Sequence, residues 1–176
     1  MPDFSFETEA AVQGYTAIAG VDEVGRGPLC GPVTAAAVIL DPDHIPDGLR
    51  DSKKLTDRKR RLLFTQIMDT AMVGVAHASV AEIDEINILQ ASHLAMVRAI
   101  ENLPKPADFA LIDGNRAPIT RDDLMLELHA QYPGYGWAKN AGYPTKEHLV
   151  ALKSLGITPH HRRSFKPVHN ILYQEE

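Results

Sequence analysis

Three acidic residues at the ends of apolar runs have the chemistry to bind a divalent metal ion. Asp22 and Glu23 end the run that begins at Ile18, and Asp113 ends the short run FALID. A buried carboxylate is costly unless a cation or hydrogen bonds compensate it. Carboxylate oxygens are ligands of Mg²⁺, and two such ions can activate water for attack on a phosphodiester. Because an adjacent Asp-Glu pair and an Asp-Gly turn are both more often structural, these residues alone leave the structural interpretation open.

A glycine–arginine–glycine segment follows the first two acids almost directly. Neighbouring residues on a strand point to opposite faces, so Asp22 and Glu23 can share a site only where the strand ends or bends. Gly25 and Gly27 favour such an end, and glycine also lets a ligand approach the main chain. Arg26, between them, has the chemistry to bind a phosphate or to pair with an acid.

Charge and composition narrow the class of protein. The chain has 176 residues and a net charge of −5, which argues weakly against a surface devoted to nucleic acid. Two local basic clusters, at 51–61 and 160–166, have the composition to follow a phosphate backbone, although such runs are more often solvated helix faces. The single cysteine, Cys30, excludes an internal disulfide and fits a reducing cytosol.

The hydrophobic pattern predicts one α/β domain over residues 1–176. Strand-like and helix-like segments follow in the order β-β-α-β-α-β-α-α, which is typical of a mixed sheet flanked by helices. We expect residues 1–14 to be a loose end and 166–176 to be a tail. The acidic N-terminus does not resemble a signal peptide, and no apolar run reaches membrane-spanning length, so we expect a cytoplasmic location and no membrane partner.

Several motifs in a fixed order carry a family resemblance. They are AGVDEVGRGPLCGPV, DSKKLTDRKRRLL, IDEINILQASHLAM, LIDGN, YPGYGW, GYPTKEH and HHRRSF. From about Ile18 to Phe165 the chain resembles bacterial ribonuclease HII, the type 2 ribonuclease H. The resemblance implies a ribonuclease H-like fold and dependence on Mg²⁺ or Mn²⁺. It also implies an endoribonuclease that cuts the RNA strand of RNA–DNA hybrids, and cuts duplex DNA 5′ of an embedded ribonucleotide, leaving 3′-hydroxyl and 5′-phosphate ends.

The resemblance also implies a role for each motif residue. Asp22, Glu23 and Asp113 would be catalytic carboxylates that bind the metal. The segment Gly25, Arg26 and Gly27 would read the ribonucleotide 2′-hydroxyl, mainly through backbone groups, since this hydroxyl distinguishes RNA from DNA. Tyr143 would stack on the sugar at the RNA–DNA junction, although a lone tyrosine is more often a packed aromatic with a wet hydroxyl. Four further residues are candidate phosphate contacts: Lys53, Lys54, Arg162 and Arg163. We expect a monomer.

The chain departs from the family pattern after Ile119. Family members continue with another strand, which ends in Lys-Gly-Asp, and then begin the next helix, whereas here Thr120 follows at once. The missing piece would include the last strand of the sheet and a fourth active-site acid. Two alternatives to the active enzyme therefore remain. One is a shortened member that binds hybrids without cutting them. The other is a phosphate-ligand domain in which the glycine-rich turn is only structural.

Overall fold

A computed structural model describes residues 4–49, 55–113 and 120–173. Lys53, Lys54 and the predicted break at Ile119 lie outside these ranges. Within them the chain forms, in order, α1 (Ser5–Val12), β1 (Ile18–Val24), β2 (Val33–Ile39), α2 (Asp57–Thr70), β3 (Met72–Ala78), α3 (Val80–Glu101), β4 (Phe109–Asp113), α4 (Thr120–Gln131), α5 (Trp137–Asn140), α6 (Lys146–Leu155) and α7 (Lys166–Tyr173).

The predicted α/β class and the order of the central elements are confirmed, but both ends of the chain differ from expectation. The N-terminal segment, expected to be loose, contains α1, in which two Glu and two Ala residues favour a helix and Ala10 is buried. The expected C-terminal tail contains α7, which buries Val168. Pro167 lies in the first turn of α7, where proline is tolerated because its missing N–H has no helical partner.

The four strands form one mixed sheet in the order β3-β2-β1-β4. Strands β1 and β4 are parallel, with Ile18 opposite Phe109 and Asp22 opposite Asp113. The Asp108 carboxylate helps to set this register, because it accepts hydrogen bonds from the backbone amides of Thr16 and Ala17, both at 2.9 Å. A slip of one residue would exchange the half-buried face of β4, with Phe109 and Leu111, for its exposed face.

The chain divides into two compact units, and single-domain organisation stays a prediction. The first comprises the described parts of Met1–Val24, Ala35–His77 and Ala95–Ile119, and the second those of Gly25–Thr34, Ala78–Leu94 and Thr120–Glu176. Small residues allow close packing in the first unit, where a Cβ added to Gly74 on β3 would lie 2.2 Å from the carbonyl oxygen of Ala99. The second unit has a core of larger side chains, among them Met125, Trp137 and Leu152.

Helix α3 is interrupted, although its sequence pattern predicts one continuous helix. Asn87 has φ 68° and ψ 164°, outside the helical region. Its side-chain oxygen accepts hydrogen bonds from the amides of Leu89 (3.0 Å) and Gln90 (3.2 Å), as an N-cap does for a new helical segment. Within the described ranges, no helix is both long and apolar enough to cross a lipid bilayer.

Candidate active site

Two of the three predicted metal-binding acids are register partners in the sheet. Asp113 is the last residue of β4, and its Cα lies opposite that of Asp22 on β1. Glu23 follows Asp22 on the same strand, and β1 ends one residue later at Val24. Parallel pairing therefore brings acids that are far apart in sequence to one end of two neighbouring strands, which is where sites form in open α/β sheets.

The surroundings of Asp22 and Glu23 fit a hard cation. Asp22 is half-buried, and Glu23 is only 5% exposed. The Asp22 Oδ1 atom accepts a hydrogen bond of 2.7 Å from the Glu23 amide. Asp22 Oδ2 and Glu23 Oε2 are buried and accept no hydrogen bond within the described part of the chain, although both residues make other interactions. Oxygen donors of this kind match the ligand preference of Mg²⁺ and Mn²⁺.

The predicted sugar-reading segment belongs to a loop, residues 25–32, whose backbone conformation requires glycine at its start. Gly25 is buried and has φ 95°, a value that side chains other than glycine rarely adopt. Arg26 and Gly27 follow it and are exposed. The loop thus presents these two residues to solvent.

Tyr143 lies against this loop. A Cβ added to Gly27 would be 3.0 Å from Tyr143 Cε1, so the tyrosine ring packs where a larger residue at 27 would project. Tyr143 is 45% exposed, and the Leu29 amide donates to the carbonyl of neighbouring Gly142 at 2.8 Å. The structure therefore brings together the glycine segment and the tyrosine, which are more than a hundred residues apart in sequence.

The two arginines of the HHRRSF motif have different surroundings. Arg163 is exposed, and its backbone amide donates to Asp84 Oδ2 at 3.0 Å, which leaves a phosphate-contact role as a prediction. Arg162 is fully buried. Its guanidinium donates to main-chain carbonyls of the 25–32 loop, including those of Gly25 and Pro28, both at 2.7 Å. The expectation that Arg162 contacts substrate phosphate is therefore wrong for this structure, because these donors face the protein interior.

A second group of potential metal ligands lies within the second unit. The ligand atoms of Cys30, His148 and His161, all buried, lie within 4.8 Å of one another. The Trp137 indole donates to His148 Nε2 at 3.1 Å, and the same atom lies 3.2 Å from His161 Nε2. An N–H donor directed at His148 Nε2 occupies the position that a metal ion would take.

Hydrogen bonds account for the remaining ring nitrogens of the two histidines. His161 Nδ1 accepts from the Thr158 amide at 2.9 Å, which assigns its proton to Nε2. His148 accepts at Nε2, so its Nδ1 carries a proton and donates to the Tyr143 carbonyl at 2.9 Å. Burial lowers the pKa of both rings, and together with the nearby His148 it lowers that of His161 to about 4. His148 and His161 therefore form a neutral, buried, hydrogen-bonded pair, and His148 also bonds to the Tyr143 backbone.

Sequence reasoning missed this histidine pair and the interior position of Arg162. The motif HHRRSF is basic and polar, and its composition indicates a surface segment. The burial of this motif depends on contacts with distant residues such as Trp137, and a single sequence does not reveal such contacts. A β-bridge between Cys30 and His161 draws the motif inward.

Comparison of the sequence with known proteins identifies the family to which the chain belongs. The family model described as Ribonuclease HII matches residues 19–122 and 117–168. A ribonuclease HII from a strain of Cereibacter sphaeroides is 56% identical over an alignment of 202 residues, which covers 99% of this chain and 95% of that protein.

Solved structures show the same fold. The ribonuclease H2 from Pyrococcus horikoshii OT3 aligns with a TM-score of 0.70 at 24% identity, covering 92% of this chain and all of that one. Bst-RNase HIII in complex with Mn²⁺ aligns with a TM-score of 0.59 at 16% identity, covering 95% of this chain and 72% of that one. The fold is thus that of the ribonucleases H. The sequence match is more specific, and the chain belongs to the ribonuclease HII family. Its members are metal-dependent endoribonucleases that act on RNA–DNA hybrids.

Proposed function

We propose that this chain is itself an active ribonuclease. It hydrolyses the RNA strand of RNA–DNA hybrids and cuts duplex DNA 5′ of an embedded ribonucleotide. The observation that carries the proposal is the register pairing of Asp22 with Asp113, beside the buried Glu23, at the end of two parallel strands. A binding module would not need three acids at that position, where they would repel the phosphates of a nucleic acid unless a cation lay between them.

Asp22, Glu23 and Asp113 would hold the divalent ion, Mg²⁺ or Mn²⁺. The complex of Bst-RNase HIII with Mn²⁺ supports this choice of ion for a protein of the same fold. When bound, the ion would supply charge neutralisation for the phosphate and activation of the attacking water. The chain's own contribution is to place the three acids at one end of two paired strands, where Asp22 Oδ2 and Glu23 Oε2 are buried from solvent.

The cleavage step is an in-line displacement at phosphorus. The water oxygen forms a bond to phosphorus on the 5′ side of the ribonucleotide, and the bond from phosphorus to the O3′ atom of the preceding nucleotide breaks. The O3′ atom takes up a proton and leaves as a 3′-hydroxyl, while the ribonucleotide keeps a 5′-phosphate. No covalent enzyme intermediate is required, so positioning and charge supply the catalysis.

Recognition of the ribonucleotide would come from the second unit. Gly25, Arg26 and Gly27 would offer main-chain groups to the 2′-hydroxyl, and Tyr143, packed against Gly27, would stack on the adjoining sugar. Phosphate contacts would come from Arg163, which is exposed, and from Lys53 and Lys54.

The break in similarity near Ile119 bears on the level of activity. The two segments matched by the family model overlap at 117–122, and the alignment with the Cereibacter relative is longer than this chain of 176 residues. Both observations support the proposal that the strand carrying a fourth acid is absent from this sequence. A site with three acids would hold a second ion less tightly, so we expect activity to need a higher metal concentration than a four-acid site needs.

A cleavage assay tests the proposal against a non-catalytic member of the family. Two duplexes of one sequence, one all DNA and one with a single ribonucleotide, are incubated with Mg²⁺ or Mn²⁺, and the product ends are mapped. We expect cuts only 5′ of the ribonucleotide, no cuts with a chelator, and loss of cutting in Asp22→Asn. Tight binding without cleavage at any metal concentration would favour the non-catalytic alternative.

The proposal also includes the oligomeric state and the cellular location of the protein. Because all the predicted site residues come from one chain, we propose that a monomer suffices, which size-exclusion chromatography during the assay would test. A cytoplasmic location stays a prediction from the single cysteine.

A further inference from the structure

The Arg162 side chain is surrounded by the 25–32 loop. Its Nε donates to the Gly31 carbonyl at 2.9 Å. Its two terminal nitrogens each donate twice, and the four acceptors are the carbonyls of Gly25 (2.7 Å), Arg26 (3.2 Å), Pro28 (2.7 Å) and Pro32 (3.1 Å). A guanidinium has five N–H donors, so every donor of this buried side chain is directed at a main-chain carbonyl of one loop.

This arrangement fixes the direction of the opposite main-chain groups. In a trans peptide the carbonyl and the next amide N–H point in opposite directions, and the described residues contain no cis peptide. The Gly25 and Arg26 carbonyls point at Arg162, so the amides of Arg26 and Gly27 point away from it. The Leu29 amide, which follows the Pro28 carbonyl, illustrates the rule, because it bonds outward to Gly142.

We infer that Arg162 is a positioning residue for ribonucleotide recognition. By holding the Gly25 and Arg26 carbonyls inward, it aims the amides of Arg26 and Gly27 outward as paired donors. Their ligand would be an acceptor oxygen on the ribose, or on the phosphate beside it. This inference rests on the proposed function, in which these residues read the sugar.

The segment that carries Arg162 is itself held in place. The Arg162 amide donates to the Leu29 carbonyl at 2.8 Å, and the Gly31 amide donates to the His160 carbonyl at 2.9 Å. Beyond it, Asp84 accepts hydrogen bonds from the amides of Arg163 (3.0 Å) and Ser164 (2.8 Å). The backbone on either side of Arg162 is therefore held by hydrogen bonds. This is required if the guanidinium is to determine which way the peptide groups of the 25–32 loop point.

Substitution of Arg162 tests the inference through binding preference. Glutamine removes most of the donors. Lysine keeps the charge but has three donors on a compact ammonium group, which cannot reach five carbonyls in a plane. The matched control is Arg98→Lys, because Arg98 also donates to a main-chain carbonyl, that of His77 at 3.1 Å, but in the first unit.

The measurement is the dissociation constant for the all-DNA duplex and for the single-ribonucleotide duplex, without divalent metal so that neither is cut. We expect the wild type and Arg98→Lys to prefer the ribonucleotide duplex. In Arg162→Gln the preference should fall by about tenfold or more, with the all-DNA constant unchanged, since an Arg26 or Gly27 amide that is no longer aimed outward loses about one hydrogen bond to the ligand. Circular dichroism establishes that each variant is folded. If Arg162→Gln is not folded, Arg162→Lys decides, with the same expected loss.

Three results would overturn the inference. One is a folded Arg162 variant that keeps the full preference. Another is equal weakening for both duplexes, together with a fall of about 1 in the slope of log affinity against log salt, which is the signature of a lost phosphate contact. The third is an equal loss of preference in Arg98→Lys. A wild type without any preference would instead contradict the proposed function, and this inference with it.

Discussion

Gly27→Ala should reduce catalysis while leaving the fold almost unchanged. The added Cβ would lie 3.0 Å from Tyr143 Cε1 and 3.6 Å from Cδ1. Carbon atoms in contact normally lie about 3.5–4.0 Å apart, so the ring must move by about 0.5 Å or more. Tyr143 is 45% exposed, so the end of a partly solvated side chain, and not backbone, has to give way. The φ angle of Gly27 is not positive, so alanine introduces no backbone strain.

We expect Gly27→Ala to have a small effect on stability and a large effect on kcat/KM. Displacing an exposed ring from its preferred rotamer costs about 0.5–1.5 kcal/mol, and we expect the free energy of unfolding to fall by no more than that. A misplacement of about 1 Å in a positioning group can reduce catalysis by about a hundredfold. We therefore expect kcat/KM on a single-ribonucleotide duplex to fall by about ten- to a hundredfold.

The assay combines urea unfolding with steady-state cleavage, and Gly20→Ala is the matched control. Among the described residues, the same added methyl group at Gly20 would meet only the Val38 carbonyl, at an ordinary 3.9 Å. A double-mutant cycle with Tyr143→Ala locates the effect, because without the ring Gly27→Ala should cost nothing further. Equal losses of kcat/KM in the presence and absence of the Tyr143 ring would refute this reasoning.

Other substitutions and conditions probe the rest of the structure. Gly74→Ala should lower the free energy of unfolding by about 3 kcal/mol in urea titrations, because its Cβ would lie 2.2 Å from the backbone oxygen of Ala99; a loss below 1 kcal/mol would contradict this packing. Burial and the neighbouring His148 lower the pKa of His161 to about 4. Between pH 6.5 and 4 the unfolded chain therefore binds a proton that the folded chain does not, and stability should fall by roughly 3 kcal/mol as the pH falls through this range. The fall should be smaller in His161→Gln, and an identical pH profile would contradict the assignment. Arg163→Gln should reduce the salt slope of duplex binding by about 1, and an unchanged slope would exclude its phosphate contact.

Local signals in the sequence were sufficient to predict much of the secondary structure. Threonine is a favoured N-cap residue, and the side chains of Thr56 and Thr145 accept hydrogen bonds from the amides of Lys59 and His148 at the starts of α2 and α6. The strand ending in Asp22 and Glu23 was identified from its β-branched and apolar residues, and Gly25 ends it with a positive φ. These features depend on neighbouring residues, which is why one sequence reveals them.

Features that depend on distant contacts were not predictable in this way. Asn87 interrupts α3 by capping a new segment, whereas the apolar spacing continues on either side. The interior position of Arg162 depends on carbonyls about 130 residues earlier in the chain. The opposition of Asp22 and Asp113 likewise depends on strand order, which the resemblance implied and the pattern of residues alone did not establish.

Asp22, Glu23 and Asp113 are the metal ligands that we propose, and direct binding of Mn²⁺ without nucleic acid tests this assignment. Free Mn²⁺ is followed by electron paramagnetic resonance during titration of the wild type, Asp22→Asn, Asp113→Asn and the control Asp69→Asn, whose side chain is exposed on α2. We predict that the wild type and Asp69→Asn bind equally. Each of the other two variants should bind at least about tenfold more weakly, since each loses a charged ligand. Binding by Asp22→Asn as tight as that of the wild type, or no binding by the wild type at millimolar Mn²⁺, would show that these acids do not form the metal site.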